Sequence, residues 1–563
     1  MTMTQPRFSE MRPTAPDSEQ LASCYRTLVE RAAGCTNDEE RTVFVTDWQR
    51  ERNTVSTWTA LTRLRFRQNT SDEAAKVAQT EADRLSTELI ALDAQVKAVL
   101  LGEPQREEWE RLLGSQAIAL WRADMRAFEP KIKESLLEEQ RICSEYVSLL
   151  GSAEFDVDGE TVTLSGLSRF SMDPDRNKRE VAEAARWGWF DENRERLDGL
   201  FDELVHKRDE MAIALGYSDF VALGYERMHR VDYDKSDVET FRAQVREKLV
   251  PLCLKIAEQQ AKDLGVDSLR FWDEKLFGSG ASPAPLGDHD WMIERAAEMF
   301  GAMSPKLAEF HELMVDRELI DLKSRNGKAV GGFCTYFHDY KVPFIFANFN
   351  GTRGDVRVFT HEMGHAFQRR SSSNFSLADY VGCTSESAEI HSMSLEFLSW
   401  PEMDRFFGDQ ADEFRRVHLL EQLLFLPYGV AIDHFQHEVY ENPDATPSER
   451  HAMWKRLEAM YLPWRNFGDL PHASDGGFWQ VQRHVYIYPF YYIDYTLAAT
   501  CALQFWARSR EDYTKAMEDY VALCGRGGSM PFRQLVASAG LVSPFDENCL
   551  DQVIETARDF LEF

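Results

Sequence analysis

The apolar residues up to about position 150 recur with a period that almost no architecture but long amphipathic helices can use. Leu21, Cys24, Tyr25, Leu28, Val29 and Ala32 fall at i, i+3, i+4 and i+7, the spacing that gathers side chains on one face of a helix. Ala74, Val77, Ala78, Leu85, Leu89, Leu92, Val96 and Val99 repeat the pattern until Gly102-Glu103-Pro104 stops it. Phe155 to Leu164 alternates instead, around Asp158-Gly159, and predicts a β-hairpin near 154–166. Helical spacing resumes from about Asn177 to Met228. A second β-rich interval, from about Leu319 to Phe349, is divided by Asn326-Gly327 and Gly331-Gly332. A mainly α fold with small sheets is expected, and 563 residues exceed one ordinary core. The patterns divide into an N-terminal helical portion, 1–190, and a second portion, 191–563. The stretch Gly278 to Gly287 reads as a surface loop.

Composition narrows the function. With 94 acidic against 64 basic residues the formal charge is −30, so nucleic acids and anionic membranes are repelled and neither is an expected partner. The acidity serves solubility, or draws in peptides with basic residues or a free amino terminus. The nine cysteines are dispersed, with no C-x-x-C pair, which speaks for reduced thiols in the cytoplasm rather than a disulfide framework. The first residues, Met1 to Phe8, lack the basic-then-apolar order of a signal peptide, and no run of about 18 apolar residues occurs.

The β-rich interval leads directly into His361-Glu362-Met363-Gly364-His365. Thr352 with Asp355 three positions on predicts a helix start of capping-box type, and Val356, Phe359, Met363 and Phe367 mark its buried face. Two histidines four apart then share another face and reach one metal ion, while Glu362 is turned about 100° from His361 toward the attacking water. That constellation points to a zinc hydrolase. Zinc needs a third protein ligand and an open position, and the next helical stretch offers Asp379, Glu386, Glu389, His391 and Glu396. Glu396 reads either as a carboxylate that orients a ligand histidine or as a solvated or capping residue. His391, His434 and His437 read as polar or hydrogen-bonded residues without metal spacing.

Five stretches together carry a resemblance: Gly327 to Thr335, Val342 to Val356, Phe359 to Phe367, Ser385 to Trp400, and His484 to Tyr495. The chain resembles the thimet-oligopeptidase and oligoendopeptidase F family of zinc metallopeptidases. The resemblance implies one Zn2+ per chain held by His361, His365 and Glu389. It also implies a gluzincin-type catalytic domain with a small sheet beside the zinc helix, enclosing a deep cleft with the N-terminal portion. Two departures from the family's pattern are Thr360 and Gln368, neither of them a ligand.

Peptide hydrolysis needs an activated water, a polarised carbonyl, donors for the developing oxyanion and a proton for the leaving amine. Glu362 suits the proton transfers. Tyr488, Tyr492 and Tyr495, at offsets 0, 4 and 7, share a face if their segment is helical, either packing in a core or offering phenol donors. The resemblance favours Tyr488 and Tyr495 as donors with His484 as a further contact, and leaves Tyr491 and Tyr492 open. The run Pro343 to Asn348 reads either as buried sheet or as a strand pairing with an extended substrate. The resemblance implies internal cleavage of oligopeptides. A Gly-x-Met-Glu-Asn segment, which would hold a substrate's amino terminus, is absent. The alternatives are a zinc carboxypeptidase of related helical fold and a non-catalytic peptide-binding protein.

Overall fold

The computed structural model of the chain describes residues 6–157, 159–164, 166–278 and 282–563. Residues 1–5, Asp158 and Ser165 of the predicted hairpin span, and residues 279–281 of the predicted loop 278–287 lie outside the described residues. The fold is mainly helical, and packing divides it into two units, each discontinuous in sequence. One gathers 1–125, 283–415 and 501–543; the other gathers 126–282, 416–500 and 544–563. This grouping cuts across the contiguous division at 190, because helices far apart in sequence share one core. No helix among the described residues is long and apolar enough to cross a membrane.

In the first unit the N-terminal helices are Ser18–Gly34, Asp38–Gln68 and Glu73–Leu100. Leu21, Tyr25, Leu28, Phe44, Trp48, Leu85, Val96, Trp109 and Trp121 bury against one another, and each covered indole contributes roughly 5 kcal/mol at about 25 cal/mol/Å² over ~200 Å². Asp93 sits inside this core and accepts hydrogen bonds from Tyr25 Oη at 2.6 Å and Trp48 Nε1 at 2.8 Å. The third helix departs from its expected face: Ala74 and Val77 are exposed, because burial along it begins only at Ala82.

The hairpin forms in the second unit, as the alternation predicts. Its strands β1 (Glu154–Val157) and β2 (Glu160–Thr163) are antiparallel, with Phe155 opposite Val162. Aromatic side chains dominate the unit's interior, with Trp187, Trp454, Trp479 and Tyr486 almost fully buried.

The sheet of the first unit holds β3 (Ile320–Lys323), β4 (Phe333–Phe337) and β5 (Val342–Phe349) in the order β3-β5-β4. β3 runs parallel to β5 and β4 antiparallel, with Phe333 opposite Phe346. β5 is therefore the central strand, and its run of buried residues from Val342 to Ala347 reflects cover on both faces. The reading of Pro343 to Asn348 as a strand free to pair with substrate is thereby corrected: both edges of β5 are taken. The strand with an edge unpaired by another strand, beside the histidine helix, is β4.

Candidate functional site

The helix Arg353–Ser371 carries the histidine pair and starts where expected, after Thr352. The expected cap is replaced by another. Thr352 makes no side-chain cap bond; instead the Asp355 carboxylate reaches back to accept N–H bonds from Asn350 at 3.0 Å and Gly351 at 2.7 Å, and an acidic group at a helix start also suits the dipole. Val356, Phe359, Met363 and Phe367 are buried, as the pattern predicts.

The partner helix, Ser385–Leu398, packs across the first with its backbone almost touching Gly364. The contact brings three groups together: one donor atom each from His361, His365 and Glu389 lies within 4.8 Å of the other two. Glu389 Oε2 is 3.3 Å from His361 Nε2 and 3.6 Å from His365 Nε2. The other side chains weighed as a third ligand have different partners. Asp379 pairs with Arg52 at 2.5 Å and accepts a bond from Trp121 Nε1. Glu386 accepts from Thr384 Oγ1 at 2.8 Å, and His391 Nδ1 bonds the Ser387 carbonyl at 2.7 Å.

Around these groups stands a supporting layer. Glu396, buried, takes the Nδ1 side of His361 at 2.7 Å, the contact by which a carboxylate orients an imidazole. Ser392 Oγ donates to Glu389 Oε2 at 2.9 Å. Burial pushes the Glu362 carboxyl up to about 7, with Glu389 and Glu396 adding to the rise against the nearby His361. Glu362 Oε2 is buried without a hydrogen-bond partner among the described residues. Burial also lowers His365 to about 3, keeping its imidazole neutral. Two histidine nitrogens with one carboxylate oxygen are a donor set suited to zinc.

Thr360 and Gln368 serve the helix and its neighbours. Thr360 Oγ1 bonds back to the Val356 carbonyl, and Gln368 Nε2 donates to Ser372 Oγ and the Val381 carbonyl, each at 3.0 Å.

His484 and the tyrosines belong to the second unit. The expected single helical face is corrected: the helix Arg483–Ile487 ends, Tyr488 leaves helical geometry at ψ 70° and is 59% exposed, and a new helix begins at Tyr492. Pro489 causes the break, since the residue before a proline is driven out of helical geometry. Phe490 then takes φ +65° with its N–H given to Gln436 Oε1. The rings nevertheless gather around His484, whose centroid lies 5.6 Å from Tyr491, 5.2 Å from Tyr492, 5.8 Å from Tyr495 and 6.3 Å from Tyr488. Gln482 Nε2 bonds His484 Nδ1 at 2.7 Å, and Tyr428 Oη donates to Gln482 Oε1 at 3.1 Å. Sequence reasoning missed Gln482 and Tyr428, which lie in unrelated patterns. It also missed Gly364, whose place inside the histidine motif was a signal of close helix approach. His434 and His437 are bonded to Tyr461 and to Tyr225.

The family model described as Peptidase M3 N-terminal domain matches residues 8–128, and that of Peptidase family M3 matches 170–280 and 302–554. A solved structure of PZ peptidase A with an inhibitor is 41% identical, covers 99% of each chain and gives a TM-score of 0.92. A Bacillus anthracis protein assigned as oligoendopeptidase F is 39% identical over 99% of this chain and 98% of its own, with a TM-score of 0.87. The oligoendopeptidase-F of Enterococcus faecium, 14% identical over 97% of each chain with a TM-score of 0.62, shares the fold. Comparison with curated proteins found no match.

Proposed function

Because this chain belongs to peptidase family M3 and is a metallopeptidase by that membership, we propose that it is a zinc endopeptidase that cuts internal bonds of short oligopeptides. The observation that carries the reading is the convergence of His361, His365 and Glu389 donor atoms within 4.8 Å, with the unpartnered Glu362 oxygen on the same helix. Zinc bound there supplies Lewis acidity toward the scissile carbonyl and lowers the pKa of water toward ~7.

Glu362 takes the proton of the attacking water at Oε2 and returns it to the departing nitrogen, one carboxylate serving both halves of the reaction. Glu396 holds the His361 ring in place through Nδ1. The outer edge of β4 offers backbone groups to an extended peptide, an arrangement that tolerates many side chains. His484, Tyr488 and Tyr495 supply donors to the oxyanion; their gathering into one cluster supports this role, with Gln482 Nε2 bonded to His484 Nδ1. A cytoplasmic setting is supported by nine cysteines that are all free thiols.

The test is mass-spectrometric mapping of cleavage in a library of peptides blocked at both ends. The wild type should cut internally, and Glu362→Gln should keep its metal and lose roughly 10²–10⁴ in turnover. Cleavage by that variant at the wild-type rate would remove Glu362 from the mechanism. Blocked peptides left whole, with trimming of the same peptides once their carboxyl ends are freed, would favour the carboxypeptidase, and bound metal without hydrolysis the binding protein. Tyr495→Phe and Tyr488→Phe should each lower kcat by about 10²–10³ with metal content intact.

A further inference from the structure

The loop entering β4 bears Val330, 81% exposed, the highest exposure among the large hydrophobic side chains of the described residues. The backbone around it is pinned. On one side the Lys328 ammonium is turned inward with its side chain fully covered, donating to the carbonyls of Asp321, Lys323 and Ala347 at 3.0, 3.0 and 2.6 Å and to Asp321 Oδ1 at 2.9 Å. It also lies 4.4 Å over the Phe346 ring. Asn348 Nδ2 straddles the valine, donating to the Ala329 carbonyl at 2.9 Å and the Gly331 carbonyl at 3.0 Å. Ala329 N–H bonds the Arg67 carbonyl at 2.8 Å. Gly331 has φ +101°, a left-handed conformation that a residue with Cβ adopts only under strain.

The loop then passes directly to the site. A Cβ on Gly332 would stand 3.6 Å from Glu362 Oε1, so Val330 lies two positions along the chain from the glycine that abuts the carboxylate assigned as general base. A β-branched side chain has few rotamers to lose when it is covered, and a pinned backbone has little freedom left to give up. Such a residue makes an apolar contact at small entropic cost.

We propose that Val330 forms an apolar subsite for one side chain of the peptide substrate, next to the scissile bond. The proposal rests on the reading of Glu362 as the base of a peptidase. The ligand is an aliphatic or aromatic side chain, excluded from water by the valine isopropyl group on one side.

Peptides varied one position at a time around the mapped cleavage bond, with Leu or Gly at that position, test it in the wild type, Val330→Ser and Val330→Ile. At one position the Leu-to-Gly ratio of kcat/KM should fall roughly tenfold in Val330→Ser, mainly through KM, and be kept in Val330→Ile. Anisotropy of a labelled Leu peptide bound to Glu362→Gln and to the Glu362→Gln, Val330→Ser double variant should show the same loss of affinity without catalysis. A ratio unchanged at every position, together with equal binding, would overturn the subsite. Absence of hydrolysis by the wild type would instead overturn the peptidase reading, and the binding comparison would still decide for or against the valine contact.

Discussion

Residue 364 has room for a hydrogen and nothing larger, and that decides whether the metal site can assemble. A Cβ there would meet the His391 carbonyl oxygen at 2.5 Å and Ser392 Cα at 2.6 Å, both of them backbone atoms. Gly364→Ala must therefore push the two ligand-bearing helices apart. We expect a loss of about 1–3 kcal/mol in urea unfolding, together with weaker metal retention against a chelator; full stability with full retention would show that the helices yield freely. Glu396→Gln keeps the shape but removes the charge that faces His361 Nδ1. Metal affinity should fall roughly 10–100-fold in competition with a chelator, and an unchanged affinity would show that the contact does not orient the ring. At this scale the histidines and Glu362 are legible from spacing, because i and i+4 on a helix is a purely local relation. Glu389 is not legible from spacing: five donors competed, the resemblance chose among them, and packing brings Glu389 to the pair.

At the scale of elements, the order of helices and strands is readable but their neighbours are not. Short apolar runs divided by Asn326-Gly327 and Gly331-Gly332 predict a β-rich interval, yet which strand is central depends on β3 joining β5 from the other side. Pro489 divides the tyrosine segment into two helices, a local signal that offsets of 0, 4 and 7 conceal. The helix Pro305–Asp316 shows what burial does to one polar group. His311 lies between Phe300 and Phe359, with ring centroids 5.4 and 6.4 Å away and no partner for Nε2 among the described residues. Burial lowers its pKa to about 4. The unfolded chain, titrating near ~6.5, binds the proton more readily, so this group costs no stability above that pH and progressively destabilises the fold as pH falls toward 4. The full effect is of order 3 kcal/mol. Urea midpoints of the wild type and His311→Leu should therefore shift in favour of the variant between pH 7 and pH 5; parallel pH dependences would show that His311 does not titrate in the transition.

At the scale of the molecule, the three proposed metal ligands and Glu362 lie in the unit built from 1–125, 283–415 and 501–543. The proposal therefore couples metal binding to the folding of that unit. Zinc at 100 times its Kd should add about 2.7 kcal/mol to the unit's stability, read by calorimetry with and without chelator; equal melting in both would mean that the three groups do not hold the ion in the native state. The sequence by itself determined the helical class, the hairpin, the position of the histidine helix and the family resemblance, since periodicity, turns and i, i+4 spacing depend only on neighbours along the chain. Tertiary structure alone decided the central place of β5, the approach of two helices at Gly364, the tie of Glu396 to His361 and the exposure of Val330. These depend on which surfaces bury each other, and burial is settled by contacts between residues remote in sequence.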